Sequence, residues 1–242
     1  VFVHPAMSDQ GIAVGAAYHY LAHNGGMRPK RMKHVFYGPD YGEEEMAGAL
    51  DSARLTFSRP RDLEAEVADQ IVKGKVVARY AGAVEYGPRA LGHRSLLVRP
   101  DDPKVNDWLN RRLKRSEFMP FAPVTLEEHA HECYDMVEKA RYTARFMTIC
   151  FNCTDSMKKS SPGVVHIDGT ARPQLINEEF DPGYYRIVKL FHEQTGIPSI
   201  INTSFNMHGE PIVCTPADAV RSFVNSQIDY LAMGPFLVAR KQ

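Results

Sequence analysis

The chain has 242 residues, enough for one sizeable domain or one domain plus a fragment, and its apolar fraction of 44% is that of an ordinary globular protein. Lys plus Arg and Asp plus Glu balance at 29 each, so no global field draws the molecule to nucleic acid or a membrane surface, and any anion site has to be local. No apolar run reaches transmembrane length, no charged leader is visible, and four cysteines in a chain of this size exclude a disulfide scaffold; a cytoplasmic protein with reduced thiols is expected.

The first residue is Val1 rather than Met, which reads as a piece of a longer chain or a start lying upstream. Residues 1–3 read as a short apolar strand, 4–11 as a turn and 12–22 as a helix. Ala13, Gly15, Ala16 and Ala17 on that helix leave room for close approach of another backbone. A lone strand and helix cannot bury a core, so they either dock on the rest or end another domain. Residues 24–60 change composition and read as a connector with a short strand at 34–37 and a helix at 43–52. Its basic residues (Arg28, Lys30, Arg31, Lys33) and the acidic run Glu43, Glu44 and Glu45 read as a solvated face.

From Asp62 the pattern is regular. Asp62 caps a helix carrying Leu63, Val67 and Ile71 and ending near Gly74, and residues 76–81 and 95–98 are strands. Asp101, Asp102 and Pro103 open a helix that runs to Lys114 with Val105, Trp108, Leu109 and Leu113 on one face. Pro120 and Pro123 make 118–126 an edge or irregular strand. Residues 127–136 read as helix, 142–150, 164–167 and 174–177 as strands, 184–195 as a helix stopped by Gly196, and 198–201 as a strand. A helix at 216–225, capped by Thr215, precedes strands at 230–233 and 236–240. Strands and helices mixed without strict alternation argue for an α/β chain of the α+β mixed kind, with a twisted mixed sheet.

The segment around which these elements gather is 85–95, Glu-Tyr-Gly-Pro-Arg-Ala-Leu-Gly-His-Arg-Ser. It puts Arg89, Arg94, His93, Glu85 and two glycines on one connection, where backbone N–H groups and guanidinium forks can close on an anion together. A surface turn with solvated arginines is the plain alternative. Three segments share its chemistry. Lys114 and Arg115 end a helix, where cations are favourable with or without a ligand. Arg172 follows the Asp168-Gly169 turn, and Thr203, Ser204 and Asn206 follow a strand at the end where open sheets bind ligands. Neither the P-loop nor the dinucleotide-binding glycine pattern occurs, so a phosphate site here rests on arginines, a lysine and hydroxyls. Cys150 and Cys153, spaced C-x-x-C without a second pair, read as packed thiols. His129, His131 and Cys133 face apart on a helix and do not close a zinc site.

Together these segments resemble the O-carbamoyltransferases of the nodulation-protein and antibiotic-tailoring type. Residues 87–95 look like the family's G-P-R-A-L-G-x-R-S signature, 168–174 like D-G-[ST]-A-R-x-Q, and 202–213 like N-T-S-F-N-x-x-G-E-P-I-V. The resemblance implies that 58–242 is a YrdC-like domain, a twisted open mixed sheet with helices around a basic cavity. It implies that 1–24 is the tail of an ASKHA-type carbamoyl-transfer domain and 25–57 a connector. Such a domain makes carbamoyl-adenylate and pyrophosphate from carbamoyl phosphate and ATP, with Mg2+ accompanying the nucleotide. The N-terminal domain then passes the carbamoyl group to an acceptor hydroxyl, using Fe2+ or another divalent metal to which Asp9 is matched as one ligand. By the same resemblance Arg89, Lys114, Arg172 and Ser204 hold carbamoyl phosphate or the nucleotide phosphates, with Asn206 beside Ser204, and with Arg94, His93 and Thr203 as further contacts. One departure is Met119, where many members carry an arginine; either Arg115 replaces it or one phosphate contact is lost. A YrdC-like module that holds RNA or a nucleotide without turnover is the alternative, against which the balanced charge argues.

Overall fold

Helices begin where a side chain satisfies the free N–H groups of the first turn. Asp62 Oδ1 accepts from the Ala65 N–H (3.1 Å), Asp181 Oδ1 accepts from the Tyr184 N–H (2.9 Å), and Thr215 and Asp218 cap each other reciprocally. Gly196, at φ 74°, closes the helix that Asp181 opens.

The computed structural model describes residues 1–28, 30–113 and 121–240. In chain order the first half holds α1 (Asp9–Asn24), α2 (Glu43–Ser52), β1 (Phe57–Ser58), α3 (Leu63–Val72), β2 (Val77–Tyr80), β3 (Arg94–Val98) and α4 (Val105–Arg112). Then come β4 (Ala122–Leu126), α5 (Ala130–Cys133), α6 (Arg141–Ala144), β5 (Phe151–Asn152), α7 (Asp155–Ser160) and β6 (Thr170–Ala171). The chain continues with β7 (Gln174–Ile176), α8 (Pro182–Thr195), β8 (Ser199–Ser204), α9 (Pro216–Asn225), β9 (Tyr230–Met233) and β10 (Phe236–Ala239).

Among the described residues, eight strands form one mixed sheet in the order β1-β10-β9-β2-β3-β8-β4-β7, and β5 pairs with β6 apart from it. The β2/β9 and β4/β7 pairs are parallel. Alternate residues of the central strands face opposite sides of the sheet. On one side Ala78, Tyr80, Leu96, Val98, Ile201 and Leu231 pack with Leu50 of α2, Leu109 of α4 and Phe223 of α9. On the other, Val77, Leu97, Val124, Ile200 and Ala232 lie under Val67 and Ile71 of α3 and Ile187, Val188 and Phe191 of α8. Each such side chain taken out of water contributes about 1.5–3 kcal/mol, which is why the helices cover both faces. The chain is therefore the mixed α/β fold that the pattern indicates.

Several elements differ from the sequence reading. Residues 142–150 are not a strand: Tyr142 and Phe146 stand four apart on a helical turn and pack edge to face with ring centroids 5.3 Å apart. Residues 164–167 are not one either; Val164 ends a 3-10 turn, and the His166 N–H donates to the Thr170 carbonyl (2.7 Å) to close a turn at Gly169. Strand β4 is interior rather than at an edge. The Leu126 N–H donates to Pro198 beside β8, so by alternation Pro123 faces the β7 side, ahead of the first β7 partner, which pairs with Val124. Its missing N–H therefore removes no ladder bond. Strand β8 continues through Asn202, Thr203 and Ser204, which pair with Leu97, Leu96 and Ser95. Residues 1–3 form no strand, and 34–37 contribute only the Phe36–Glu85 bridge. Helix α1 buries none of its residues: Ile12, Tyr18, Tyr20 and Leu21 stay exposed, and the close packing expected of Ala13, Gly15, Ala16 and Ala17 is not formed among the described residues. The connector is better anchored than a solvated linker, with Val35, Met46 and Leu50 buried in the core. Among the described residues no helix is long and apolar enough to cross a membrane.

Candidate functional site

The loop between β2 and β3 is folded by its own carboxylate. Glu85 Oε1 accepts from the N–H groups of Leu91 (2.8 Å), His93 (2.8 Å) and Arg94 (3.1 Å), while Ser95 Oγ accepts from the Gly92 N–H (2.9 Å). The four successive N–H groups of residues 91–94 are thus occupied within the loop. They are not the donors to an outside anion that the sequence reading expected. Two glycines are required here. Gly87, at φ 107°, lies against the Pro5 carbonyl, 3.0 Å from where a Cβ would stand, and a Cβ on Gly92, at φ 122°, would run into the Tyr184 ring.

A buried amide pair ties this loop to two other segments. The Asn202 amide donates to the Ala90 carbonyl (3.1 Å) and to Gln174 Oε1 (2.7 Å), and the Gln174 amide donates to the Leu91 carbonyl (2.7 Å). Ala90 follows Arg89, Gln174 stands two residues after Arg172, and Ser204 lies two residues beyond Asn202 on the same face of β8. Three segments distant in sequence therefore meet at one hinge of hydrogen bonds, and each brings an expected site residue to it.

Arg89 and Arg172 are both half-buried, and the Nε of each is buried without a hydrogen-bond partner among the described residues. Burial lowers the pKa of both guanidinium groups, and Arg89 lowers that of Arg172 further, so the two cations lie within each other's field. Neither forms an ion pair with a described carboxylate; both act on the Cys150 thiol, which burial pushes up and the two arginines pull back. Two like charges kept half out of water, with hydrogen-bonding capacity unspent, favour an anion between them. Ser204 Oγ donates to Asn206 Oδ1 (2.6 Å), and the Asn206 amide is held by the Met207 and Glu210 carbonyls, so the two expected side chains form one unit.

Arg94 does not join this group. It lies on the opposite side of β3, fully buried, with its guanidinium 3.6 Å from the Tyr80 ring centroid and donating to the carbonyls of Ala81 (2.7 Å), Gly82 (3.1 Å) and His93 (3.0 Å). Thr203 pairs with Leu96 and turns to that same side. His93 stacks on Phe36 (3.6 Å between centroids) and packs beside Asp181, which also pairs with Arg79 (3.0 Å). Lys114, Arg115 and Met119 lie outside the described residues. Asp9 sits in the first turn of exposed α1, and no group of three metal-ligating side chains forms among the described residues.

A cleft of about 860 Å3 lies elsewhere, among Phe2, Tyr18, Arg31, Tyr142 and Arg145, and none of the expected site residues lines it. Glu127 pairs with two of the three arginines of that wall, Arg141 (2.9 Å) and Arg145 (3.0 Å), and the third, Arg31, lies over the Tyr142 ring at 5.1 Å from its centroid. The sequence reading missed the roles of Glu85, Gln174 and Asn202. Their one local signal is polarity inside or beside apolar strands, which marks a buried group needing partners.

The carbamoyltransferase C-terminus family model matches residues 68–240. The protein MJ1058 of Methanocaldococcus jannaschii is 39% identical over 249 aligned positions, covering 100% of this chain and 40% of its own length. Nodulation protein NolO of Bradyrhizobium diazoefficiens is 36% identical over 247 positions, covering 100% of this chain and 45% of its own. The chain spans less than half the length of these curated relatives. Among solved structures, T. kodakarensis HypF superposes with a TM-score of 0.51 at 21% identity, over 74% of this chain and 21% of that one. A full-length HypF in its phosphate- and nucleotide-bound form gives a TM-score of 0.51 at 20% identity, over 72% of this chain and 25% of that one. These likenesses carry the fold, while the family model and the nodulation-protein relative carry the kinship. The chain belongs to the carbamoyltransferase family, in its C-terminal region.

Proposed function

We propose that this chain is the carbamoyl-activating region of an O-carbamoyltransferase. In this reading water releases carbamate and phosphate from carbamoyl phosphate. A carbamate oxygen then attacks the α-phosphorus of ATP; the bond from that phosphorus to the bridging oxygen breaks, and carbamoyl-adenylate and pyrophosphate are the products. A separate domain of the longer protein, of which residues 1–24 are the tail, passes the carbamoyl group to an acceptor hydroxyl, and 58–242 form the YrdC-like unit.

Arg89 and Arg172 hold phosphate oxygens and neutralise the charge that grows on the leaving pyrophosphate. Ser204, oriented by Asn206, adds a hydroxyl to the same phosphates. Lys114 and Arg115 complete the cationic set by the family resemblance, and Mg2+ enters with the nucleotide. The work of such a site is positioning and electrostatic stabilisation, for which fixed cations and dipoles suffice.

The observation that carries the reading is the Arg89–Arg172 pair, half-buried, charge-coupled and without a carboxylate partner among the described residues. The test is carbamoyl-phosphate-dependent release of pyrophosphate from ATP. Release by the wild type, reduced about 10²-fold in Arg89→Ala, supports the reading. No release and no ATP binding at millimolar concentration would sink it.

A further inference from the structure

The loop that carries Arg89 is built around an anion of its own. Glu85 is buried, only 8% exposed, and a single oxygen of it takes three N–H groups from residues 91–94. Its backbone is fixed independently of the loop: residue 85 bridges to Phe36, and the Tyr86 N–H donates to the Val35 carbonyl (2.6 Å). The connector thus clamps the residue, and the residue clamps the loop. The second carboxylate oxygen is buried without a hydrogen-bond partner among the described residues.

We infer that Glu85 is a positioning residue for anion binding: its carboxylate closes the loop on itself and so fixes the direction in which Arg89 is presented. The inference rests on the proposed reading of Arg89 and Arg172 as the anion site. The chain between Glu85 and Leu91 is a short span fixed at both ends by this carboxylate and by the Asn202–Gln174 pair at Ala90 and Leu91. Arg89 stands inside that span, with its own guanidinium untethered by any described carboxylate. Because Glu85 occupies the N–H groups, an incoming phosphate meets the guanidinium and not the backbone. Replacing the carboxylate by an amide keeps an acceptor oxygen but turns three charge-assisted bonds into neutral ones of roughly half the strength.

The experiment is a mutant cycle read by titration calorimetry with inorganic pyrophosphate, at low ionic strength so that the residual affinity of the weaker variants stays measurable. Glu85→Gln is expected to bind about tenfold more weakly than wild type, the loss of roughly one charge-assisted contact. Arg89→Ala is expected to lose more. The double variant is expected to bind no worse than Arg89→Ala alone, because Glu85 acts only through Arg89. Wild-type affinity in Glu85→Gln, or losses that multiply in the double variant, would overturn the inference; a merely structural defect would multiply. Should Glu85→Gln fail to fold, Ser95→Ala removes the single acceptor of the Gly92 N–H in the same loop. It is expected to weaken binding about two- to fivefold, again without effect on the Arg89→Ala background, and multiplying losses would overturn the inference here too. Pyrophosphate binding without carbamoyl-phosphate-dependent turnover would end the proposed reaction and leave Glu85 in its role. No pyrophosphate binding by the wild type would end both.

Discussion

Arg89 and Arg94 stand five residues apart on one loop and have opposite fates. Arg94 is buried on one side of β3, stacked on Tyr80 and bonded to four backbone carbonyls, those of Ala81, Gly82, His93 and Cys214. Arg89 lies on the loop itself with an unpartnered Nε, beside a second arginine and no described carboxylate. The Nε of Arg94 is buried without a described partner as well, so the two differ at their terminal amino groups: those of Arg94 donate to backbone carbonyls and build the fold, whereas those of Arg89 make no bond among the described residues. Bonds from the terminal amino groups separate the two, which charge and motif membership do not.

The sharpest break in that comparison comes from Arg94. Arg94→Ala should cost about 3–5 kcal/mol of stability, because it opens a cavity over Tyr80 and takes its donor from the Ala81 and Gly82 carbonyls. Chemical denaturation reads this directly, and a loss under 1 kcal/mol would move Arg94 out of the structural class. Asp181, which ties Arg79 to the N-terminus of α8, is the acidic counterpart. Burial alone would raise its carboxyl pKa, but Arg79 and His93 hold it well below the usual range. A depressed pKa contributes stability that is complete above the unfolded value of about 3.9 and is lost as pH falls toward the folded one. Asp181→Asn should therefore cost about 3 kcal/mol at neutral pH, with the gap from wild type closing below about pH 4 in denaturation midpoints.

Arg89→Ala and Arg172→Ala should behave in the reverse way. Each should reduce carbamoyl-phosphate-dependent pyrophosphate release about 10²-fold, equivalent to about 2.7 kcal/mol. Thermal midpoints should hold steady or rise slightly, since removing one cation relieves the other. The smallest effect is expected for Ser204→Ala, about tenfold or less in kcat/KM, because a neutral hydroxyl is one hydrogen bond among several. A Ser204→Ala loss larger than that of Arg89→Ala would invert the order and the electrostatic reading with it.

The sequence carried the local decisions well. Asp62, Thr215 and Gly196 mark helix ends by chemistry confined to a few residues, and those ends stand where the pattern puts them. The errors fall where partners decide. Asn202, Thr203 and Ser204 look like a polar loop but extend β8, because β3 supplies their ladder and Gln174 takes the Asn202 amide. Tyr142 and Phe146 have strand-forming side chains, yet edge-to-face packing at helical spacing prevails. For the site, Arg89 and Arg172 are legible as motif members, but their adjacency is not. It depends on a bond between Gln174 and Leu91, 83 residues apart, that no local pattern encodes. The opposite side taken by Arg94 follows from strand alternation once β3 is known to start at that residue, and the sequence pattern starts the strand one residue later.

The contrast between the two arginines can be read in a single spectrum. Arginine Nε–H correlations, assigned with the Arg89, Arg172 and Arg94 variants, should be followed while the wild type is titrated with ATP. Resonances of Arg89 and Arg172 should move together and saturate at one ligand concentration, while that of Arg94 stays fixed. A moving Arg94 beside unmoved Arg89 and Arg172 would contradict the assignment of the binding role.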